Sequence, residues 1–447
     1  MAASSSVALA PAPRGLRSAP ARGSDLRLLL LLAWKNLSRH LRRTVITAGA
    51  LAVSVAMFIF MDSLLRGIDT ESQRNLVWYE TGSGRIVSAA QYRDLRKVEL
   101  QHEIVDYRPL GAWLSERGVA NAPRISFTGE LFFGEGALPV RLVGIDPASD
   151  PRVFRLPEAL LPGSEFLTTG VPGLLLGAWL SEDLGVAVGD FVEIRTRTRH
   201  GAMQTLELEV VGILLSPNPT VNRGVGFLPL DVVQYDLDMT GVTEIALGAL
   251  RSPMGRPVPV PSGAALERAL ERLNADLAGV APGLTAAGWP QLAPDYLALV
   301  ESKQSSNGVL LFLIFLIASV GISNTMLIAV YERIREFGMM RALGMDDAAI
   351  RATMVFEAGA IGLLGSLVGL AVGAAATWWL VNWGIDMSGL YGNVNIGYRV
   401  TGIFRGAWNP GIMLTAVIFG VAASMAIALL PARRALRLDV VQCLRYE

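Results

Sequence analysis

The stretch that decides the fold is YERIREFGMMRALGMDD, residues 331–347, which follows the apolar run VLLFLIFLIASVGISNTMLIAV at residues 309–330. The apolar run is long enough to cross a bilayer as a helix, which needs about 20 residues. The residues after it mix acids with bases and end in a glycine and two aspartates. The sequence therefore predicts a membrane helix followed at once by a charged helical turn in water.

Three other stretches have the same apolar character, and the four predicted spans are residues 44–65, 308–330, 355–383 and 411–430. The block between the first and second spans, residues 66–307, has ordinary polarity and is long enough to bury its own core. The 447-residue chain is 52% hydrophobic with a formal charge of zero, which disfavours a nucleic-acid partner. We predict an α-helical membrane protein with four transmembrane helices and a large α+β extracytoplasmic domain inserted between the first and second helices.

Basic residues set the predicted orientation. Arginines and lysines before the first span far outnumber the one acid there, Asp25, so the positive-inside rule holds the N-terminus in the cytoplasm. Alternation then places residues 66–307 and 384–410 outside, and residues 331–354 and 431–447 inside. Residues 1–25 lack the apolar centre of a signal peptide, and we interpret them as a disordered cytoplasmic leader.

Residues 26–43 have apolar residues at helical spacing and basic residues on the other side. This pattern predicts an amphipathic helix that lies on membrane lipid. Its predicted interfacial anchors are Trp34, Lys35, Arg39, Arg42 and Arg43. The alternative is an extension of the first span, since anchoring by aromatic and basic residues is common to both.

The block 66–307 reads as mixed α and β structure. Two strands are predicted within 129–145, joined at a glycine-rich turn, and a second hairpin joins 191–196 to 206–213. An amphipathic helix follows Ser262. From Asp295 onward no breaker precedes the membrane, so we predict a rod that continues into the second span, with 305–308 as its weak point.

Glycines recur through the third predicted span, and those at spacings of three and four are predicted to pack against another helix. They are Gly362, Gly365, Gly369 and Gly373. The spacing fits packing within the chain and packing between two chains equally well.

Several kinds of chemistry are missing from the sequence. None of the three lysines lies in a GxxxxGK[ST] phosphate loop, and the three histidines have no spacing that suits a metal. A single cysteine, Cys443, permits no disulfide within the chain. We predict no catalytic site, no metal site and no cofactor on this chain.

Three segments resemble the FtsX-like permease family, the membrane subunits of ABC transporters of the MacB and lipoprotein-releasing class. They are AWKNLSRHLRRT (33–44), ERIREFGMMRALGMDDAAI (332–350) and PARRALRLDVVQCLRYE (431–447). In the block, LVGIDP (142–147) and LLLGAWLSEDLGVAVGDFVEIRT (174–196) are similar to the MacB-like extracytoplasmic domain. The tail departs from the family, which usually has Asp-Pro before an apolar-Glu pair where this chain has 439–442, DVVQ.

The charged loop is interpreted as a helix from Glu332 to Leu343, with Gly344 as its left-handed end and Asp346 or Asp347 capping the next helix. One face would hold Ile334, Phe337, Met340 and Leu343. The resemblance implies that this loop couples to an ATPase. The coupling residues implied are Glu332, Arg333, Arg335, Glu336, Phe337, Arg341, Ala342, Leu343 and Gly344. The alternative is a topology anchor whose charges meet lipid headgroups.

The resemblance further implies a permease subunit of the bacterial inner membrane, with both termini cytoplasmic. Its partners would be an ABC ATPase subunit carrying ATP and Mg²⁺, and a second permease chain, identical or not. ATP hydrolysis there would move the outer domain mechanically and release lipoproteins, with a periplasmic lipoprotein or chaperone as a further partner. The alternatives are export of a peptide or toxin by a MacB-type pump and regulation of a cell-wall hydrolase by an FtsX-type protein.

The orientation can be tested by labelling. A cysteine at Gly201 should react with a membrane-impermeant maleimide in cells with a permeabilised outer membrane, whereas Cys443 should react only after lysis. The labelling is read by mass shift of the purified chain. The reverse pattern would overturn the orientation.

Overall fold

The structure is a computed structural model that describes residues 41–95, 99–250, 263–303, 334–386 and 403–435, with single positions at 309, 313, 316, 327, 328 and 331. These residues divide into two compact units. One unit contains the described residues within 1–62, 310–376 and 409–447, and the other contains the described residues within 63–309 and 377–408. We refer to them as the helical unit and the α+β unit.

The helices of both units are numbered in chain order. They are α1 (Leu41–Leu76), α2 (Ala89–Tyr92), α3 (Tyr107–Glu116), α4 (Ala178–Leu184), α5 (Pro219–Gly224), α6 (Leu230–Asp236), α7 (Gly263–Val280), α8 (Trp289–Leu292), α9 (294–303), α10 (Ile334–Ala342), α11 (Asp347–Asn382) and α12 (Pro410–Ala435). Short 3-10 turns occur at Asp150–Arg152 and Leu156–Ala159.

Nine strands form the main sheet and two more form a small hairpin. They are β1 (Gly84–Ser88), β2 (Asn121–Phe133), β3 (Gly136–Ile145), β4 (Leu174–Gly177), β5 (Phe191–Arg197), β6 (Met203–Leu214), β7 (Val225–Pro229), β8 (Glu244–Leu247), β9 (Leu284–Gly288), β10 (Ile385–Asp386) and β11 (Ile403–Phe404). The predicted hairpins β2–β3 and β5–β6 are confirmed, each antiparallel with continuous register.

Six strands close into a barrel, because β2 pairs with β3 from Arg124 to Phe133 and with β5 from Gly129 to Phe132. The ring runs β2-β3-β7-β4-β6-β5 and returns to β2, while β8, β1 and β9 extend the sheet from the near end of β2. Strand β6 has the alternating pattern of a strand with one face in the core. Leu206, Leu208 and Val210 are buried, whereas Glu207 and Glu209 between them are exposed.

Strand β9 is an edge strand whose outward-facing backbone groups are already bonded. The Asn274 side chain accepts from Ala286 N at 2.7 Å and donates to Ala286 O at 3.1 Å. Gln291 Oε1 accepts from Gly288 N at 3.0 Å. Free backbone groups on an edge strand can pair with a strand of another chain. The side chains of Asn274 and Gln291 occupy such groups on β9 and so limit this pairing.

The far end of α1 is seated in the α+β unit. Helix α1 continues past the predicted span to Leu76 and ends in a π-helical turn, Val77–Thr81, in which Val77, Tyr79 and Thr81 are buried. Trp78 in the same turn lies under two guanidinium groups, with the Arg155 Cζ atom 3.7 Å and the Arg74 Cζ atom 4.9 Å from its ring centroid. The sequence placed the soluble block from residue 66, but residues 66–76 contain no proline and continue the helix.

Glu80 in this turn ties α1 to three parts of the unit. Its carboxylate accepts from Arg141 Nη2 on β3 at 3.2 Å and from Asn218 Nδ2 before α5 at 3.0 Å. Its backbone oxygen accepts from Arg85 Nη2 on β1 at 2.8 Å, and Arg85 Nη1 donates to Glu244 on β8 at 2.7 Å. Charge-assisted bonds are the stronger hydrogen bonds in proteins, so the end of α1 is firmly held.

A second ionic contact is completely buried. Arg124 on β2 donates through Nε and Nη2 to the two carboxylate oxygens of Asp150, at 2.7 and 3.1 Å, and the Arg124 Cζ atom lies 3.3 Å from the ring centroid of Phe154. Burial raises the pKa of Asp150 and lowers the pKa of Arg124. Each charge is therefore tolerated only because its partner is present.

Three glycines of α11 lie against α1 within the helical unit, so these contacts are made inside the chain. The nearest α1 residues are Ala48 for Gly365, Ala52 for Gly369, and Ala56 with Ile59 for Gly373. A Cβ atom on Gly369 would lie 2.6 Å from the Ala52 carbonyl oxygen. Gly362 faces α12 instead, where a Cβ atom would lie 2.8 Å from Ser424. The missing side chains allow the helix backbones to approach closely.

Three of the described helices are long and apolar enough to cross a membrane: Thr44–Thr81, Asp347–Asn382 and Pro410–Leu430. Most of the predicted second span, 308–330, lies outside the described residues. The predicted rod is helical over residues 294–303, and residues 304–308, which include its weak point, also lie outside them. A break at Ala293 precedes helix α9. The helix begins at residue 294, one residue before the predicted start at Asp295.

Replacing Gly369 by alanine should destabilise the helical unit, because the new methyl group collides with backbone. Overpacking of this kind costs about 1–3 kcal/mol. The matched control is Gly49→Ala on α1, where a Cβ atom would meet nothing within 4 Å. Thermal unfolding of the purified chain in detergent measures both. Equal melting temperatures for the two variants would contradict the close approach of α11 and α1.

Replacing one partner of the buried ion pair should lower the free energy of unfolding more than replacing both partners. Arg124→Met strands the Asp150 carboxylate and should lower the free energy of unfolding by about 3–5 kcal/mol, and adding Asp150→Leu should recover most of that loss. The control is Arg197→Met on the exposed face of β5. Denaturant unfolding measures all four proteins, and a double variant as unstable as Arg124→Met would refute a paired charge.

Candidate coupling corner

The charged loop folds as a sharp junction of two helices, which we call the corner and define as residues 334–350. Helix α10 ends at Ala342 and α11 begins at Asp347. Gly344 between them has φ 88°, the left-handed region that only glycine enters easily. Of the residues named from sequence, Glu332 and Arg333 lie outside the described part of the chain.

The turn is a Schellman motif. Met345 N donates to Met340 O and Gly344 N donates to Arg341 O, both at 3.0 Å, which is the paired bonding that ends a helix in this motif. The Asp346 backbone oxygen then accepts from Ala349 N and Ile350 N and starts α11. The direction of the chain through the corner is therefore fixed by backbone bonds.

Arg341, one of the coupling residues implied by the resemblance, is paired within the corner. Its Nε atom donates to Asp347 Oδ1 at 3.0 Å, so a base at the end of α10 is paired with an acid at the start of α11. Each charge also suits the helix end that it occupies. The ion pair therefore joins α10 to α11 across the turn.

The inner side of the corner is apolar. Met340 and Met345 pack against Ile350 and Met354 of α11 and Ala432 of α12. Met340 and Met345 occupy the two positions that commonly touch in a Schellman motif. The cluster joins the corner to the helical unit, so a displacement of the corner would displace α11 and α12.

The outer side presents an apolar tip between charges. Leu343 is 88% exposed and Met339, one turn earlier, is 53% exposed. Arg335, Glu336 and Ala342 are also exposed. The expectation that Leu343 lies on the face of Ile334, which is buried, is wrong, because the chain leaves the helix at Leu343 and the face ends there.

Helix α11 is longer than a hydrocarbon core requires. It has 36 residues, which is about 54 Å at 1.5 Å per residue, against about 30 Å for a hydrocarbon core. Its charge-free part runs from residue 358 to the end of the helix at Asn382, and Trp378 and Trp379 near that end are residues typical of a membrane interface. Residues 347–357 precede that stretch and add roughly 16 Å of helix.

The predicted interfacial anchors fall mostly outside the described residues. Trp34, Lys35 and Arg39 lie before residue 41, and Arg42 with Arg43 lies in the first turn of α1. Whether residues 26–43 form a separate amphipathic helix stays a prediction.

The sequence analysis did not predict that Met339 and Leu343 would both be exposed and form an apolar tip. The usable signal was the position of Leu343 directly before Gly344. A residue at the helix end keeps its side chain outside the turn when the next residue is left-handed, and Met339 lies four residues earlier on the same side of α10.

Comparison with known proteins places these features in a family context. Residues 308–440, which include the corner, α11 and α12, match the FtsX-like permease C-terminal model. The chain is 26% identical over 346 residues to the lipoprotein-releasing system transmembrane protein LolC of Xylella fastidiosa (strain Temecula1), an alignment that covers 75% of this chain and 79% of that protein.

Two further matches concern the MacB type. The macrolide export ATP-binding/permease protein MacB of Hyphomonas neptunium is 30% identical over 155 residues, covering 34% of this chain and 21% of that protein. The crystal structure of the periplasmic region of MacB from Actinobacillus actinomycetemcomitans aligns with 49% of this chain and 95% of that one, at 15% identity and a TM-score of 0.31. The predicted likeness to FtsX-like ABC transporter permeases is confirmed.

Proposed function

We propose that this chain is the permease subunit of an ABC transporter that docks a separate ATPase subunit on its corner. The observation that carries the proposal is the braced corner with Leu343 exposed at its tip. A buried aliphatic side chain contributes about 1.5–3 kcal/mol relative to an exposed one, so a partner that covers Leu343 gains a specific anchor. The charges beside it would set the orientation of the partner.

The reach of the corner favours a protein partner over lipid headgroups. The headgroup layers add only about 5–7 Å on each side of the hydrocarbon core, less than the helix that precedes the charge-free part of α11. The exposed charges of the corner include both an acid and a base, whereas a lipid anchor relies on basic residues.

The chemistry of the partner is suggested by the MacB relative, whose name joins ATP binding and a permease in one protein. The chain matches about a fifth of that protein and contains no GxxxxGK[ST] loop in its sequence. We therefore assign ATP and Mg²⁺ to a separate subunit. A pair of permease chains on a pair of ATPases would complete the transporter, and the two permeases would be identical or related.

The path of movement would run through α1. The corner is packed on α11 and α12 by the methionine cluster, and α11 is packed on α1 through its glycines. Helix α1 is continuous to Leu76, and its end is bonded to β1, β3 and the turn before α5 through Glu80 and Arg85. A shift of the corner would thus reach the α+β unit through packed helices. The rod at 294–303 would provide a second connection.

The similarity to LolC over three quarters of the chain supports lipoproteins as the substrate, released from the bacterial inner membrane with both termini of this chain in the cytoplasm. A periplasmic lipoprotein or its chaperone would then meet the α+β unit. The match to a macrolide export protein supports export as the alternative function, for which we propose a peptide or toxin as the cargo. Regulation of a cell-wall hydrolase is the alternative from the FtsX type.

The proposal is tested by reconstitution of the chain with a candidate ABC ATPase subunit and a fluorescent lipoprotein in proteoliposomes. ATP should release the lipoprotein into the supernatant. Leu343→Ala should weaken binding of the ATPase by about 2 kcal/mol, roughly thirtyfold, and lower ATP-driven release accordingly. Co-purification and stimulated ATP hydrolysis are measured in the same samples.

The matched control is Leu367→Ala, another exposed leucine, located within the charge-free part of α11. Glu336→Arg should weaken binding in low salt and less so in high salt, because a rim charge is screened. If neither Leu343→Ala nor Glu336→Arg changes binding of the ATPase subunit, the corner is not the docking site. ATP-stimulated hydrolysis without lipoprotein release would keep the coupling and reject the lipoprotein substrate.

A further inference from the structure

The short segment after β11, residues 405–408, is held across two long helices. Gly406 N donates to Leu380 O of α11 at 3.2 Å, and Ala407 N donates to Ser63 O of α1 at 3.0 Å. Both bonds join backbone atoms, so the position of the segment does not depend on side-chain rotamers. The segment is therefore fixed relative to the ends of α1 and α11 that belong to the α+β unit.

These bonds also set the depth of the segment. The charge-free stretch of α1 runs from residue 44 to residue 61, two residues before Ser63. The charge-free part of α11 ends at Asn382, two residues after Leu380. Hydrocarbon gives way to lipid headgroups where such stretches end. We therefore expect the segment to lie at the level of the headgroups.

Exposed tryptophans surround the segment. Trp378, Trp379, Trp383 and Trp408 are each about half exposed, and the rings of Trp378 and Trp383 meet edge to face with their centroids 5.1 Å apart. A tryptophan has an apolar body and one N–H donor, which suits the boundary between acyl chains and headgroups. We define the rim as these four tryptophans together with Arg66 and Arg405.

The two arginines of the rim are exposed and lie next to each other along α1. The carbonyl oxygen of Arg405 packs so closely on Gly67 that a Cβ atom there would collide with it, and Arg66 precedes Gly67 in the helix. The ion pairs formed among the described residues include neither guanidinium group. The charge that acts on Arg74 from this segment is the positive charge of Arg405, so a third base adds to the local charge.

The acids of α1 beside the rim have other partners. Asp62 Oδ2 accepts from Asn409 Nδ2 at 2.9 Å. Asp69 lies within the electrostatic range of Arg66, but the charge of Lys303 acts on it more strongly. The positive charge of the rim is thus only partly balanced by the described residues.

The depth and the charge together indicate the ligand. Arg66 lies three residues beyond Ser63, about 4.5 Å along the helix, within a headgroup layer of about 5–7 Å. The anions of that layer are lipid phosphates, and guanidinium groups bind phosphate through paired N–H donors. A zwitterionic lipid brings an ammonium group beside its phosphate, whereas phosphatidylglycerol brings none. The unbalanced charge of the rim therefore favours the anionic lipid.

We propose that the rim binds an anionic phospholipid, with its phosphate on Arg66 and Arg405 and its acyl chains against the exposed tryptophan rings. The inference goes beyond the proposed transport function and does not depend on it. Every residue of the rim belongs to the α+β unit, and none belongs to the corner.

The test uses the full chain in phosphatidylcholine nanodiscs that contain a small fraction of brominated lipid, because bromine on the acyl chains quenches tryptophan fluorescence on contact. Brominated phosphatidylglycerol and brominated phosphatidylcholine are compared at equal mole fraction. An arginine near an anionic lipid contributes about fivefold in affinity, so phosphatidylglycerol should associate with the parent chain roughly fivefold more strongly or better. The double variant Arg66→Gln/Arg405→Gln should lose this preference, and Trp408→Phe should lose part of the quenching that depends on phosphatidylglycerol.

The matched control is Arg197→Gln, which changes an exposed arginine of β5 outside the rim and should keep the preference of the parent. The double variant should melt at the temperature of the parent, because it breaks no ion pair among the described residues, so a lost preference cannot be ascribed to unfolding. Equal quenching by the two lipids, or a preference that survives in the double variant, would overturn the proposal. Brominated diacylglycerol succinate is anionic but has no phosphate, and enrichment equal to that of phosphatidylglycerol would show charge attraction alone and reject the phosphate site.

Discussion

The carboxylate of Glu80 is the point on which the connection between a membrane helix and a large β-domain depends. It lies in the π-helical turn that ends α1 and accepts from side chains on β3 and before α5, while its backbone oxygen accepts from β1. Because the turn also buries Val77, Tyr79 and Thr81, the helix cannot shift along its axis without breaking polar and apolar contacts together. The end of α1 is therefore built into the core of the α+β unit.

Much of this architecture follows from the sequence, and the exceptions have physical causes. The alternating residues of β6 and the glycine-rich turn before β3 predicted the two hairpins, and Gly344 predicted the end of α10. These features could be predicted because each depends on residues close together in sequence. The ring closed by β2 was not foreseeable, since it joins strands through pairings distant in sequence. At the corner, the pairing of Arg341 with Asp347 and the exposure of Leu343 depend on the direction of the chain after the turn, which residue spacing on a single helix does not contain.

The surface proposed for docking arises from the way the chain ends α10. At the corner, an aliphatic side chain is left in water because the Schellman turn ends the helix beneath it. This surface gains from being covered by apolar atoms, and salt should act only on the contribution of the charges beside it.

The position of β1 in the sheet has a consequence for biosynthesis. Arg85 on β1 and its partner Glu244 on β8 are 159 residues apart, and β9 on the other side of β1 is later still. Contacts so distant in sequence form slowly, and none of them can form before the later strands have been synthesised. During synthesis the end of α1 therefore stays beside an incomplete sheet. The strands already made are open to proteases and to pairing with other strands until residue 288 has been added.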